Sequence, residues 1–201
     1  MARAFKSTPR GFTARLDSTE RDLLRGLFQD VAQVLTPQDA GGDGGNDGGA
    51  PDGEVDPLWA LVGMDPRTHA AGFAAPTDAA ERRLLPDAVQ GDDEASLEYR
   101  RLTETSLREA KTGNLRAAAL ALETGNLVLD TSAAHQFAQA LNDVRLVLAE
   151  RLDLRDEADA ERIGSMTDAR RVEDVDGYLA LVYNFVTWLQ ETLMQALLGE
   201  L

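Results

Sequence analysis

The first candidates for catalytic chemistry are Asp130, Ser132 and His135, which lie within six residues of one another. Hydrolytic triads combine these three residue types, but a fold assembles a triad from distant positions, and local spacing does not build one. A helix-capping Ser132 followed by an exposed His135 accounts for the same residues. We therefore predict no catalytic residues and a protein that is not an enzyme.

Other classes of reactive site lack their signature residues. The chain has no cysteine, which excludes disulfides, thiolate nucleophiles and thiol-based redox switches. Its two histidines, His69 and His135, could not complete a zinc site without carboxylates. No glycine-rich loop follows a strand and opens a helix, so phosphate-cradling chemistry is not indicated. We expect no metal and no cofactor.

Basic side chains are the remaining candidates for an interaction site. Five arginines concentrate between residues 82 and 108: Arg82, Arg83, Arg100, Arg101 and Arg108. Glu98 and Glu104 are interleaved with them. The favoured interpretation is a solvated face with ion pairs, and the alternative is a patch that contacts phosphate groups. A solvated face needs no ligand; if the region does bind a partner, these five arginines are the predicted interaction residues.

The charge of the chain limits its partners. The 35 acidic and 20 basic residues give a formal net charge of -15. Such a field favours solubility and repels DNA and anionic lipid, so we expect DNA contact only weakly or through a partner, and no membrane contact. Residues 1 to 10 have basic side chains without a following apolar run, which is not the pattern of a secretory signal. The cytoplasm is the expected location.

Two apolar segments predict β-strands that would lie next to each other. Residues 11 to 17 alternate between apolar and polar side chains, which is typical of a short strand. Residues 127 to 130 (LVLD) form a second apolar run. Together they predict a two-stranded ribbon on a helical body.

Helical patterns cover most of the rest of the chain. Asp17 and Glu20 have the spacing of a capping box and start the first helix. Residues 36 to 56 are rich in glycine and aspartate, and we interpret them as a flexible acidic linker rather than a calcium-binding repeat. Further helices are predicted at 57–63, 78–85, 93–111, 114–123, 130–152, 158–163 and 177–198, with Gly113 separating the third from the fourth.

These elements predict a mostly α fold, a single-domain helical bundle over residues 1–201. The last helix, 177–198, is the most apolar segment, and its favoured role is a central core helix, with a homodimer seam as the alternative. Asn142, Asp143 and Arg145 flank core positions of the preceding helix. A structural network that ties helices together is favoured for them over a ligand site.

Four segments carry a resemblance to a known family. They are FTARLDSTERDLL at 12–24, RRLLPDA at 82–88, LNDVRLVLAERLDL at 141–154 and VYNFVTWLQETLMQALLG at 182–199. In this order and spacing the sequence resembles an actinobacterial family of uncharacterised helical proteins that includes the oxidative-stress transcriptional regulator AosR. Regulation in that branch is attributed to a cysteine pair, which this chain lacks.

The resemblance implies a regulator that acts with a sigma factor or another transcription partner. The gene neighbourhood of the family implies an alternative, an adaptor or scaffold in Clp-type proteolysis or cysteine metabolism. A hydrolase that uses carboxylates and a divalent ion is a third hypothesis, but no metal-spaced cluster supports it. The leading hypothesis is a non-enzymatic regulator with a protein partner.

Overall fold

A computed structural model describes residues 2–36, 76, 78–87, 91–166 and 174–199. The predicted linker at 36–56, apart from Thr36, and the predicted helix at 57–63 lie outside these residues. The described elements are β1 (Arg3–Thr8), β2 (Gly11–Arg15), α1 (Ser18–Val34), α2 (Ala79–Leu84), α3 (Asp93–Ala121), β3 (Leu127–Leu129), α4 (Thr131–Arg151), α5 (Glu157–Gly164) and α6 (Val175–Leu198).

The helices pack around α4, which confirms the predicted mostly α fold. Helix α4 contacts α2, α3 and α6, and α1 packs on both α3 and α4. At the centre Phe137 of α4 packs edge-on against Phe5 and Phe28, with ring centroids 6.0 and 5.5 Å apart. Helix α6 contributes one buried face to this core, including Val186, Leu189 and Leu193. Burial of these apolar side chains is the main stabilising contribution to the fold.

The sheet has one more strand than the sequence predicts. Strands β2 and β3 pair antiparallel, with Phe12 opposite Leu129, as expected. Strand β1 pairs with the other edge of β2 and makes the sheet three-stranded, so the two-stranded prediction was incomplete. Only Phe5 of β1 is buried, and the backbone N–H of Phe5 donates to Thr192 Oγ1 of α6 at 3.3 Å. The sequence of β1 is too polar for its pattern to predict a strand. Contacts with α6, which is far from β1 in the sequence, hold the strand in place.

Gly11 sits where the backbone of β2 approaches β3. Its φ of +108° is a conformation that L side chains rarely adopt, and a Cβ there would lie 2.3 Å from the Leu129 carbonyl oxygen. We expect Gly11→Ala to lower the free energy of unfolding by about 2 kcal/mol or more, through strain and a displaced strand. Urea denaturation measures the loss. The control is Gly113→Ala, which should leave stability unchanged or raise it, because Gly113 is an exposed helical position with open space around it. An unchanged Gly11→Ala midpoint would contradict this account of β2.

Helix α3 is continuous where two helices were predicted. Gly113 does not end it, and the helix runs unbroken from Asp93 to Ala121. A glycine inside a helix costs about 1 kcal/mol relative to alanine. Beyond it, Leu115 and Ala118 keep the same face buried against the core. Packing of that continued face outweighs the local preference of one glycine.

Each of the six helices that the structure describes starts after an aspartate N-cap. The predicted capping box is present, because Glu20 N–H donates to Asp17 Oδ1 at 3.0 Å and Asp17 N–H donates to Glu20 Oε2 at 2.8 Å. The other five caps are Asp78, Asp92, Asp130, Asp156 and Asp174. Part of the acidic excess of the chain therefore has a structural role, since a carboxylate at a helix N-terminus is favourable.

Candidate protein-interaction site

The N-terminal half of α3 buries charged side chains in a network of ion pairs. Arg100 and Glu104 are each only 6% exposed, and Arg100 Nη1 donates to Glu104 Oε2 at 2.9 Å. Arg108 donates to the other oxygen of Glu104 at 2.7 Å and to Glu81 of α2 at 2.6 Å. Arg100 also bonds Asp87 at 2.6 Å. Glu104 thus bridges two guanidinium groups that the fold has removed from solvent.

The network reaches the end of α1 as well. Arg108 Nη1 donates to the backbone carbonyl of Leu35 at 3.1 Å, and Arg100 Nη2 donates to that of Leu85 at 3.4 Å. Burial opposes the charge of Arg100, but hydrogen bonds with Glu104 and Asp87 raise its pKa above the usual value. These arginines therefore hold α1, α2 and α3 together.

The five predicted interaction residues divide into two groups. Arg100 and Arg108 belong to the buried network, and Arg83 donates to Glu150 of α4 at 2.7 Å. Arg82 is exposed, as is Arg101, whose Nη1 lies 3.7 Å from Glu98. Of the five, only these last two present their guanidinium groups mainly to solvent, so a role of the whole set in binding stays a prediction.

Helix α3 reverses the usual amphipathic pattern over this half. Its inner face is formed by Ser96, Arg100 and Glu104, at intervals of four residues. Its outer side carries Tyr99 and Leu102, which are 54% and 75% exposed. An ordinary surface helix buries its apolar stripe and exposes its charges. Tyr99 and Leu102 lie outside the hydrophobic core that the described residues form.

Comparison with known proteins identifies the family of the chain. Residues 2–197 match a family described as a domain of unknown function, DUF2017. The chain belongs to the DUF2017 family. No curated protein and no solved structure matches the sequence. The predicted membership of an uncharacterised domain family is confirmed at this level, and the family match covers β1 as well as the whole of α3.

The residues considered for a catalytic triad, Asp130, Ser132 and His135, lie together at the start of α4, where the N-cap is Asp130 and not Ser132. Asp130 is the N-cap of α4 and accepts from the backbone N–H of Ala133 at 2.8 Å. Ser132 and His135 follow on α4 and are exposed. Within the described residues no three histidine, aspartate or glutamate side chains converge as a metal site, and no helix is long and apolar enough to cross a membrane.

A second buried charge pair links α3 to α4. Lys111 Nζ donates to Asp143 Oδ1 at 2.5 Å, and Asp143 is only 2% exposed. Burial raises the pKa of Asp143 above its ordinary value, and the hydrogen bond and charge of Lys111 oppose that rise. The sequence pointed to Asp143 as part of a structural network, but its partner lies on another helix and could not be identified from spacing.

Arg145 completes the polar network along α4. Its Nη1 donates to Gln190 Oε1 of α6 at 2.7 Å, and Gln190 Nε2 donates to the Ala138 carbonyl at 3.3 Å. The guanidinium also lies 5.7 Å from the ring centroid of Tyr183. These contacts tie α4 to α6 in the manner that the structural interpretation predicts. Asn142, by contrast, is exposed.

Proposed function

We propose that this DUF2017 protein is a non-enzymatic regulator that acts by binding a protein of the transcription machinery, such as a sigma factor. The proposal that the protein binds a partner rests on α3, whose buried side chains are charged and whose exposed side chains include apolar ones. Tyr99 and Leu102 are exposed on a helix whose inner face is already filled by Arg100 and Glu104. The transcription partner is proposed from the resemblance to the oxidative-stress regulator.

The charge of the protein supports a partner-dependent action. A net charge of -15 opposes the approach of DNA, because the binding of nucleic acid by proteins depends on the neutralisation of phosphates by lysine and arginine. Four of the five candidate arginines pair with carboxylates of the same chain, and the pair of Arg101 with Glu98 is the exposed one. Any contact with a promoter is therefore expected through the bound partner.

Leu102→Glu tests the α3 surface. We expect the variant to fold normally, because Leu102 is 75% exposed, and to recover at least about tenfold less partner in affinity capture from the native host. The loss follows from placing a charge in an apolar contact. Quantitative mass spectrometry of RNA polymerase and sigma-factor subunits gives the readout. The matched control is Leu120→Glu, which makes the same change at a 64% exposed position of the same helix.

Two results would contradict the proposal. Capture of protease or sulfur-metabolism subunits with no polymerase or sigma factor would favour the adaptor alternative. Tight binding of promoter DNA by the purified protein alone, with a steep dependence on salt, would exclude the partner-dependent mechanism. Equal capture by wild type and Leu102→Glu would place the contact surface elsewhere.

A further inference from the structure

One side of α3 faces solvent without carrying a charge. Its exposed residues follow one another at intervals of three or four, which places them along one side of the helix. They are Tyr99, Leu102, Ser106, Ala110, Gly113 and Ala117. None of the charged residues of α3 falls at these positions. We call this surface the uncharged face of α3.

The two halves of the uncharged face differ in the size of their side chains. The N-terminal half carries Tyr99 and Leu102, which are 54% and 75% exposed. The C-terminal half has alanine or glycine at 110, 113 and 117, and all three positions are exposed. A Cβ at Gly113 would meet no neighbouring element within 4 Å among the described residues, so packing within them does not require a small residue there. The face therefore joins a protruding half to a flat half.

Helix α3 complements itself in the antiparallel direction. When two copies are centred on residue 108, Tyr99 of one copy lies opposite Ala117 of the other. Leu102 then lies opposite Gly113. Facing helices interdigitate where large side chains meet small ones. A parallel pair would instead set Tyr99 against Tyr99 and Gly113 against Gly113, which packs poorly at both places.

The charges at the border of the uncharged face favour the same direction. Glu98 lies one turn before Leu102, and Arg116 lies one turn after Gly113. Both charged residues are exposed, and their separation of 18 residues, about five helical turns, places them along the same edge of the face. In the antiparallel pair Glu98 of each copy lies beside Arg116 of the other, whereas a parallel pair sets like charges together. Residues that border the face itself therefore select an antiparallel second copy.

Both charges are available for such a pair. Arg116 forms no ion pair with the described residues, and the pair of Glu98 with Arg101 is exposed and 3.7 Å long. Exposed pairs of this kind contribute little to stability. Exchange of Arg101 for Arg116 of a second copy would therefore cost Glu98 little.

Glu109 provides an independent check on this geometry. It lies on the same edge of the face as Glu98 and close to the centre of the antiparallel pair. The two copies of Glu109 would approach each other there, and like charges weaken a contact. A neutral side chain at 109 should therefore strengthen the dimer.

We propose that the uncharged face of α3 binds a second copy of this chain in the antiparallel direction. The large side chains of each copy pack on the small residues of the other, and Glu98 lies beside Arg116 at both ends. One helix from each copy gives a small interface, so we expect a dissociation constant on the order of 10 μM. The dimer covers Tyr99 and Leu102, and its competition with a transcription partner is the one consequence that rests on the proposed function.

Sedimentation velocity of the full-length protein over a range of concentrations tests the dimer. Glu98→Arg and Arg116→Glu should each raise the dissociation constant about tenfold, because each sets like charges together at both ends. The double variant that carries both changes should return to within about threefold of wild type, since the pairs are restored with reversed sign. Its net charge stays at -15, so a change in overall charge cannot explain the recovery.

Two more variants complete the experiment. Glu109→Gln should lower the dissociation constant by about threefold at low salt, because it removes the repulsion at the centre. The matched control is Glu161→Arg, which makes the same change as Glu98→Arg at an exposed position of α5 and should associate no more weakly than wild type. All four substituted positions are exposed, and circular dichroism confirms that the variants fold.

A monomer at every concentration up to about 1 mM would overturn the proposal and would leave the face to another protein or to another segment of this chain. A dimer that neither charge reversal weakens, or that the double variant does not restore, would also overturn it. A dimer that Met194→Glu dissociates and Glu98→Arg leaves intact would place the contact on α6, where Met194 is 40% exposed.

These measurements need no transcription partner, so they separate the dimer from the proposed function. A monomeric protein that captures a sigma factor through Leu102 would contradict the dimer and support the proposed function. A dimer that responds to the charge reversals as expected, with no transcription protein in the capture experiment, would support the dimer and contradict the proposed function.

Discussion

Replacement of Glu104 by leucine is expected to lower the free energy of unfolding by about 3 to 5 kcal/mol. Glu104 is the carboxylate that Arg100 and Arg108 share, with N–O distances of 2.9 and 2.7 Å. Without it, the almost fully buried Arg100 retains only Asp87 as an ionic partner among the described residues. Leucine and glutamate have similar helix propensities, so the loss reports the ion network rather than the helix.

Urea denaturation followed by circular dichroism measures this change, and α3 supplies the control. Glu98→Leu is the same substitution on the same helix, at an exposed glutamate whose pair with Arg101 is 3.7 Å long. Exposed ion pairs contribute about 0 to 1 kcal/mol, so the control should change stability little. Equal effects of the two variants would show that the buried network does not hold α1, α2 and α3 together.

Replacement of Lys111 by methionine is expected to cost a similar amount, about 3 to 5 kcal/mol at neutral pH. Asp143 would keep its negative charge in a site that is 2% exposed, without the ammonium group that now lies 2.5 Å away. Lys6, the other lysine of the chain, is exposed on β1, and Lys6→Met is the control, expected within about 0.5 kcal/mol of wild type.

The pH dependence of the Lys111→Met defect follows from Asp143. Burial raises the pKa of Asp143 above 3.8, and Lys111 opposes the rise. From 3.8 up to the raised pKa, the folded protein binds a proton that the unfolded chain does not, so the contribution of this carboxyl to stability falls as pH rises. Removal of Lys111 extends that range upwards, and the defect should be smaller at about pH 5 than at about pH 7.

Unfolding experiments at both pH values check this prediction, and Asp143→Asn provides a second test. In the Lys111→Met, Asp143→Asn double variant no carboxylate remains at this position between α3 and α4, so most of the stability lost with Lys111 alone should return and the added pH dependence should disappear. A defect of the same size at both pH values in Lys111→Met would contradict a buried, charged Asp143.

Local sequence signals predicted the parts of the fold that depend on neighbouring residues. The capping box of Asp17 and Glu20 was predicted correctly, because an N-cap bonds to backbone groups two or three residues away. The pairing of β2 with β3 also followed from two short apolar runs. Gly113 misled the prediction because its local preference is smaller than the packing of Leu115 beyond it.

The candidate site could be predicted only in part, because its contacts join residues that are far apart in the sequence. The cluster of arginines was visible in the sequence, but which of them are buried depends on Glu81 and Leu35, which other helices bring to Arg108. The exposed Tyr99 and Leu102 would ordinarily be assigned to a core-facing stripe. Only the position of α3 against α1 and α2 shows that its polar residues face inwards.

By itself, then, the sequence determined the mostly α class, the capping box that starts α1, the absence of thiol chemistry and the acidic character, since these follow from composition and from contacts within a few residues. The tertiary structure alone decided that β1 joins the sheet, that Arg100 and Glu104 are buried, and that Lys111 of α3 pairs with Asp143 of α4. Those features depend on residues far apart in the chain, and their positions are set by the packing of whole helices rather than by local preference.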